Sequence, residues 1–353
     1  MLPKRQPSVG IPIRTAIVGY GLSGRVFHAP FLASMSNFEV AAIVTANDKR
    51  REQAEKNHPL ARIYETFDEL ESSGDKLDLI VLAGPPETHL DLARRALRLG
   101  SAVVIDKPFV ANVQDAAELI AIAARESRPL MVFQNRRWDG DFLTVRALIA
   151  SGRLGKVFHF ESVFEHWAPA VSSDWKDQLP VSSGGGVAYD LGSHLVDQAL
   201  VLFGPASVLN ASLFTVRPGG GNDDHSEVKL MHESGVVSRL LMSRQGHMQG
   251  PRFRVLGTKG SFISFGLDPQ ELALDGGALP TDPGFGEVVT DLFGTLVEGS
   301  ASGPVTTRIP TERGDYAEFY RRAALAVRGE GPEPVLPEEA LAVVALLQRA
   351  ANC

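Results

Sequence analysis

Gly19-Tyr20-Gly21-Leu22-Ser23-Gly24 follows directly on the apolar run Ile13-Arg14-Thr15-Ala16-Ile17-Val18 and opens a segment patterned as a helix. In a chain with 34 glycines a GxGxxG spacing also arises by chance, so its place carries the meaning. Between a strand and a helix each glycine has a task. The first permits the tight turn, the second lets a pyrophosphate approach the backbone, and the third lets helix and strand pack closely. The helix N-terminus beyond them offers unpaired N–H groups and a partial positive charge to phosphates. A dinucleotide is the expected ligand; the alternative is a glycine turn that holds nothing.

Outward from this motif, strand and helix patterns alternate as far as residue 133. Runs at 13–18, 38–45, 77–82, 102–105 and 130–133 are short, apolar and nearly unbroken, as strands covered on both faces are. Between them, 24–33, 48–57, 87–99 and 112–125 read as amphipathic helices. In the third, Leu90, Ala93 and Leu97 recur at helical spacing, Arg94, Arg95 and Arg98 face outward, and Gly100 ends the run. The expectation for 12–133 is therefore an α/β unit, a doubly wound parallel (Rossmann) sheet. Residues 134–353 read differently, as an α+β domain. Helices are expected at 141–151, 190–203, 314–328 and 337–351, and a strand at 156–165. Runs of period two at 207–216, 226–231, 236–243 and 252–256 predict an antiparallel sheet. Residues 167–186 form a loop rich in Trp, Pro, Ser and Gly, and 266–310 read as a surface excursion.

With 353 residues the chain has room for two such domains. Its 44% hydrophobic and 22% charged content is that of an ordinary globular protein. A net charge of −7 argues against a nucleic-acid binder or an anionic-membrane binder, which need basic surfaces. A dinucleotide needs only a local positive site. The single cysteine, Cys353, rules out an intrachain disulfide and argues against a thiolate metal site or a cysteine nucleophile. No apolar stretch is long enough to span a bilayer. Residues 1–12 contain Lys4 and Arg5 but no hydrophobic core after them. They are read as a loose tail rather than a secretory signal, and the chain as cytoplasmic.

Asp106-Lys107-Pro108 lies where the 102–105 strand ends. Ligands of open α/β sheets sit beyond the C-terminal strand ends, which aims Lys107 at the nicotinamide end of a bound dinucleotide. A partly desolvated lysine beside a cationic ring has a lowered pKa and suits proton transfer or carbonyl polarisation; the plain alternative is a surface lysine. Asp190 and His194, four residues apart on an expected helix, share a face with Asp197. There the carboxylate can set the imidazole tautomer and make it a general base. The alternatives are a surface ion pair and a metal site built from Asp190, His194 and Asp197, for which no partner cluster of His or Cys is evident.

Gly84, Pro85, Thr88 and His89 occupy another strand end and flank the cofactor groove. Gln134-Asn135-Arg136-Arg137-Trp138-Asp139 follows the last strand, where its polar groups either hold a polyhydroxylated substrate or pack between domains. His28, on the first helix, faces the nicotinamide or packs. An acid at the end of the second strand would bind a ribose 2′-hydroxyl. Thr45 stands there instead, with Lys49 and Arg50 close enough to meet a 2′-phosphate. NADP is the expected cofactor, and Asp48 keeps NAD open.

Residues 19–24, the strand end at 84–89, Asp106-Lys107-Pro108 and Tyr189-Asp190-Leu191-Gly192-Ser193-His194 together resemble the glucose–fructose oxidoreductase/inositol dehydrogenase (Gfo/Idh/MocA) family, over residues 13–351. YGLSGRVFHAPF at 20–31, QNRRWDGDF at 134–142, DLGSHLVDQAL at 190–200 and GTKGSFISFGLDPQE at 257–271 are most similar to its branch of NADP-dependent scyllo-inositol dehydrogenases. The resemblance implies a Rossmann domain followed by a domain with a large open antiparallel sheet, through whose exposed face members pair as homodimers or homotetramers. It implies Lys107, Asp190 and His194 as the catalytic set. Cofactor contacts would come from Gly19, Tyr20, Gly21, Leu22, Ser23, Gly24, Thr45, Lys49, Arg50, Gly84, Pro85, His89 and Lys107. Asn135, Arg136, Trp138 and His166 would join Asp190 and His194 around the substrate, with no metal. One departure is Asp106, where the family usually has Glu. Residues 165–169 lie in a region that tunes substrate choice. The implied reaction is NADP-dependent oxidation of a secondary alcohol of a cyclitol or sugar, with His194 taking the hydroxyl proton, Lys107 steadying the alkoxide, and Asp190 orienting His194 or binding a neighbouring hydroxyl. A nucleotide-binding regulator without catalysis and an NAD-dependent hydrolase are the two other readings.

Overall fold

The computed structural model describes residues 10–353, so the tail expected over 1–12 lies outside the described residues apart from its end. β1 (Ile13–Val18), β2 (Phe38–Val44), β3 (Arg62–Tyr64), β4 (Leu79–Leu82), β5 (Ala102–Ile105) and β6 (Leu130–Val132) form one sheet. Its order is β3-β2-β1-β4-β5-β6 and every pair is parallel. All residues of β4 and β5 are buried, as a sheet with helices on both faces requires. The order reverses between β1 and β4, which opens a crevice beyond their C-terminal ends. The helices Asp48–Asn57 and Val113–Glu126 start at Asn47 and Asn112, whose side chains accept from the backbone N–H groups of Arg50 and Asp115.

Two details of this layer differ from expectation. β3 and the helix Phe67–Ser72 lie in a stretch that gave no signal, because Arg-Ile-Tyr at a half-exposed sheet edge has no apolar run. The single helix expected at 24–33 is two pieces, a π-helix over Ser23–His28 and an α-helix over Ala29–Ser34.

The second sheet has eight strands: β7 (Val157–Glu165), β8 (Ala206–Phe214), β9 (His225–His232), β10 (Val237–Ser243), β11 (Phe253–Gly257), β12 (Gly260–Ser264), β13 (Gly294–Glu298) and β14 (Val305–Ile309). Their order is β14-β13-β12-β11-β7-β10-β9-β8. The sheet is antiparallel except where β7 pairs with β10, which is parallel. Period-two patterning records which face is buried and is blind to strand direction. Residues 266–310 are not simply an excursion, since they supply the helix Gln270–Asp275, β13 and β14. β14 is the edge strand and β13 its neighbour, and Thr, Glu and Arg interrupt both, which hides them from a hydrophobicity pattern.

One face of this sheet buries Phe160, Leu240, Met242, Phe253 and Phe262 against the helices Gly192–Phe203 and Pro337–Ala350. The opposite face carries ion pairs running from His159 and Arg254 to Glu161 and from Arg239 to Glu227. Packing does not follow chain order. Tyr316, Phe319 and Tyr320 lie in the first core, with Phe319 and Tyr320 against Phe133. The helix Pro337–Ala350 gives Ala340 and Val344 to the first core and Val343 and Leu347 to the second. A cut at 133/134 therefore separates the sheets but not their cores. Among the described residues no helix is long and apolar enough to cross a membrane.

Candidate active site

At the end of β1 the chain turns at Gly19 with φ +96°, a conformation that favours glycine. A Cβ on Gly24 would overlap the Gly19 carbonyl oxygen, so the π-helix can start this close to the strand only without a side chain. Gly19 abuts the backbone of Ala83 and Gly84, which brings the β1 and β4 ends together. Ser23 Oγ is buried with no hydrogen-bond partner. The Arg50 guanidinium lies over Gly21, 3.6 Å from where a Cβ would stand. Thr45, directly after β2, is buried, and Lys49 is exposed beside Arg50. Tyr20 is buried edge-on to His58 at 5.8 Å, while Leu22 is half-exposed. A side-chain-free shelf, an unpartnered hydroxyl and a guanidinium above them fit the phosphates of a dinucleotide.

Pro85 begins the helix Pro86–Arg98 and Gly84 precedes it. His89 is wholly buried, with its ring nitrogens 3.1 Å from the carbonyl oxygens of Gly84, Pro108 and Phe109. These contacts let it pin one strand end to the next. The pinned segment holds Lys107, whose peptide bond to Pro108 is cis.

Lys107 Nζ donates to the Asp190 carbonyl oxygen and to its Oδ1, both at 2.8 Å. This bond joins the two layers. Asp190 is set from its own side by Gly186, whose φ is +86° and whose Cβ would overlap the Asp223 carboxylate. Tyr189 anchors the same turn by donating to the Ala111 carbonyl at 3.1 Å. Asp190 Oδ1 also meets Lys176 at 3.2 Å, and Arg244 donates to Oδ2 at 2.9 Å. Burial alone would raise this carboxyl's pKa; Lys107, Lys176 and Arg244 outweigh it and hold it well below the usual range.

The expected Asp190–His194 partnership is not what forms. The helix is interrupted at Leu191 before resuming as Gly192–Phe203, and the carboxylate turns to cations distant in sequence. His194 is 4% exposed and its Nδ1 has no hydrogen-bond partner. Burial, then Lys107 and Arg136, push its pKa well below 6.5 against the pull of Asp190. The imidazole is therefore neutral at neutral pH, with Nδ1 unpartnered. Lys107 is pushed down by burial, pulled up by Asp190 and pushed down again by Lys176. Asp197 makes a two-pronged ion pair with Arg137 at 2.7 and 2.8 Å. Among the described residues no group of three or more His, Cys, Asp or Glu is placed to hold a metal ion.

Lys176, Arg244 and Glu271 are site residues the sequence did not disclose. Asp190–Arg244–Asp177–Arg217–Asp224 is a continuous chain of ion pairs at 2.9, 2.5, 2.6 and 3.0 Å. His166 is half-buried and pushed below 6.5 by burial and then by Arg244. Lys176 and Glu271 act on it too. Arg136 is ion-paired with Asp139 and Glu271 and stacks on Phe164. Asn135 is buried. Trp138, expected beside the substrate, lies in the first core, edge-on to Phe319 at 6.0 Å.

His28 packs rather than faces a ligand. Its ring lies 4.4 Å from that of Phe133 and its Nδ1 2.6 Å from the Tyr320 hydroxyl. Burial takes its pKa from 6.5 to about 4, although Asp106 lies 4.0 Å from Nε2. An unfolded chain binds this proton between pH 6.5 and 4 while the folded chain does not. Its contribution to stability is thus complete above pH 6.5 and lost as pH falls toward 4, on the order of 3 kcal/mol. Asp139, Asp141 and Asp268, raised by burial to about 7, 6 and 6, slope the other way. The expected result is therefore a difference. Between pH 7 and pH 4, denaturant melts should show wild type losing about 3 kcal/mol more than His28→Gln; equal losses would remove His28 from acid sensitivity.

Residues 13–134 match the family model described as the oxidoreductase family with an NAD-binding Rossmann fold, and 142–263 match the GFO/IDH/MocA C-terminal domain. The chain belongs to the GFO/IDH/MocA oxidoreductase family. Among its relatives in this family, the uncharacterized oxidoreductase YdgJ of Escherichia coli K12 is 35% identical over 95% of this chain and 94% of its own. The scyllo-inositol 2-dehydrogenase (NADP(+)) IolW of Bacillus subtilis is 31% identical over 96% of this chain and 92% of its own. The solved structure of the Bacillus subtilis protein yvaA matches with a TM-score of 0.92 at 30% identity, covering 98% of this chain and 97% of that one. Within the family's two-part architecture, the Lys107–Asp190 bond lies at the junction of the dinucleotide-binding layer and the second sheet.

Proposed function

We propose that this NAD(P)-dependent dehydrogenase interconverts a secondary alcohol of a cyclitol or sugar and the matching ketone, with NADP as its preferred cofactor. The observation that carries the reading is the Lys107–Asp190 bond, which brings a lysine at the β5 end against a carboxylate two residues before the Gly192–Phe203 helix and its His194. The relative named for scyllo-inositol and NADP supports both parts of it.

The glycine shelf at Gly19, Gly21 and Gly24, with Ser23, would hold the pyrophosphate. β2 ends at Val44 and Asp48 already opens a helix, so Thr45 stands at the strand end with Arg50 over Gly21. That arrangement supports a 2′-phosphate over a free 2′-hydroxyl. When bound, the nicotinamide supplies the two-electron oxidant or reductant. The protein handles the proton and the charge. His194, neutral because burial and its cationic neighbours keep it so, accepts the proton of the reacting hydroxyl. Lys107, as an ammonium, stabilises the negative charge that develops on the oxygen. Asp190 aims Lys107 rather than His194. General acid–base assistance of this kind is worth about 10²–10⁴ in rate. The exposed face of the second sheet, with Met231, Val297 and Phe214 part-exposed, supports pairing of copies there.

A spectrophotometric screen of inositols, inososes, aldoses and ketoses with NADP and NAD tests the reading. The expected result is an absorbance change at the nicotinamide wavelength with a polyol, larger with NADP. NADP binding without turnover across the panel would favour the regulator. Sugar release without net reduction would favour the hydrolase.

A further inference from the structure

The segment 167–186, expected as a loop, carries a short helix, Trp175–Gln178, which brings a second ammonium to the carboxylate that holds Lys107. Lys176 Nζ lies 3.2 Å from Asp190 Oδ1, the oxygen that also accepts from Lys107 at 2.8 Å, while Arg244 occupies Oδ2. We propose that Lys176 is a positioning residue for the reaction assigned above. With Arg244 it fixes Asp190 and shares its Oδ1, so that Lys107 meets the substrate oxygen with only part of that carboxylate's compensation.

Lys176 is held in place on several sides. Its carbonyl oxygen accepts from the Gly186 N–H at 3.0 Å and from Asn222 Nδ2 at 3.3 Å. The next residue, Asp177, is buried and ion-paired with Arg217 at 2.6 Å and Arg244 at 2.5 Å. Arg217 and Ser172 outweigh burial and lower its carboxyl to about 2, so the clamp keeps its charge across the working range. Two ammoniums on one oxygen of a buried carboxylate repel each other, and like charges at such range shift a pKa by about a unit.

Lys107 is faced by Asp190, Lys176 and Asp106. Lys176 is faced by Asp190, Arg244 and Glu271. Removing Lys176 takes away a repelling charge and returns Oδ1 wholly to Lys107, and both changes raise the pH at which Lys107 gives up its proton. His194 answers instead to Lys107, Arg136, Asp190 and Arg252. The two limbs of a pH profile are thereby separable.

The test uses the full chain, with the best polyol from the screen and saturating cofactor, comparing wild type, Lys176→Gln, Lys176→Met, Lys176→Arg and Lys107→Met from about pH 4.5 to 10.5. Melting curves select the neutral Lys176 variant that folds. In it, the alkaline limb of kcat/KM is expected to move up by about one pH unit and the acid limb to stay. kcat should fall about tenfold with KM within about twofold, and Lys176→Arg should restore both. An unmoved alkaline limb overturns the proposal, as does a rise in KM alone, which would make Lys176 a substrate contact. Failure of both neutral variants to fold would make its role structural and overturn it too. Lys107→Met keeps the two readings apart. Normal turnover there removes Lys107 from the reaction, whereas an inert Lys107→Met beside an unmoved Lys176→Gln limb sinks only the Lys176 assignment.

Discussion

Lys107→Met is expected to lower kcat about 10³-fold while the dissociation constant of the dinucleotide changes by less than about fivefold. The asymmetry follows from where the residue sits. Its amine is committed to Asp190, at the junction of the layers, whereas the phosphate shelf is made by Gly19, Gly21 and Gly24 and needs no side chain from β5. Methionine keeps the length and bulk of the stem, so the variant removes a charge and a donor rather than a packing element. His194→Ala should show a loss of 10²–10⁴ in kcat, again with binding retained. Stopped-flow turnover and a fluorescence titration with the reduced cofactor measure the two quantities separately. Near-normal turnover in either variant would take that residue out of the chemistry.

The second large effect concerns cofactor choice. Arg50→Ser should weaken NADP binding by about 10–100-fold, the worth of one charge-assisted hydrogen bond or somewhat more, and leave NAD within about twofold. Arg50 is an exposed side chain whose guanidinium nevertheless rests over the glycine shelf at Gly21. Its backbone N–H donates to Asn47, which fixes where the helix begins and so where the guanidinium starts. Because the interaction is ionic and partly open to solvent, the discrimination should shrink as salt rises. An unchanged NADP-to-NAD ratio of KM values in Arg50→Ser would disconnect this arginine from the choice.

The parts of the fold that could be read from the sequence were the locally written ones. β1, the glycine turn and β4 announce themselves because a buried parallel strand is an apolar run and a tight turn needs glycine. β3 and β14 carry no such mark, since an edge strand is made by pairing with a neighbour rather than by its own composition. The parallel β7–β10 pair was invisible for a related reason: burial alternates identically whichever way a strand runs. The site divides along the same line. Lys107, Asp190 and His194 stand at strand and helix ends that a motif can flag. The contacts that set their protonation carry no such mark, since Arg244 is 54 residues and Lys107 83 residues from Asp190. The expected Asp190–His194 pairing relied on helical spacing, and the interruption at Leu191 with three competing cations defeated it. Trp138 shows the limit in the other direction, because an aromatic beside polar residues can be a binding group or, as here, the wall of a core.

Tyr316, Phe319 and Tyr320 complete a core whose other members mostly precede residue 140, and the helix Pro337–Ala350 is shared between that core and the next. During synthesis, the six parallel strands must therefore wait for nearly two hundred residues before the aromatic side chains that seal them have emerged. Until then the surface around Phe31 and Phe133 is sticky and unsealed, a natural client for a chaperone. The same arrangement ties the melting of one half to the melting of the other, so the chain should come apart in a single step rather than in two.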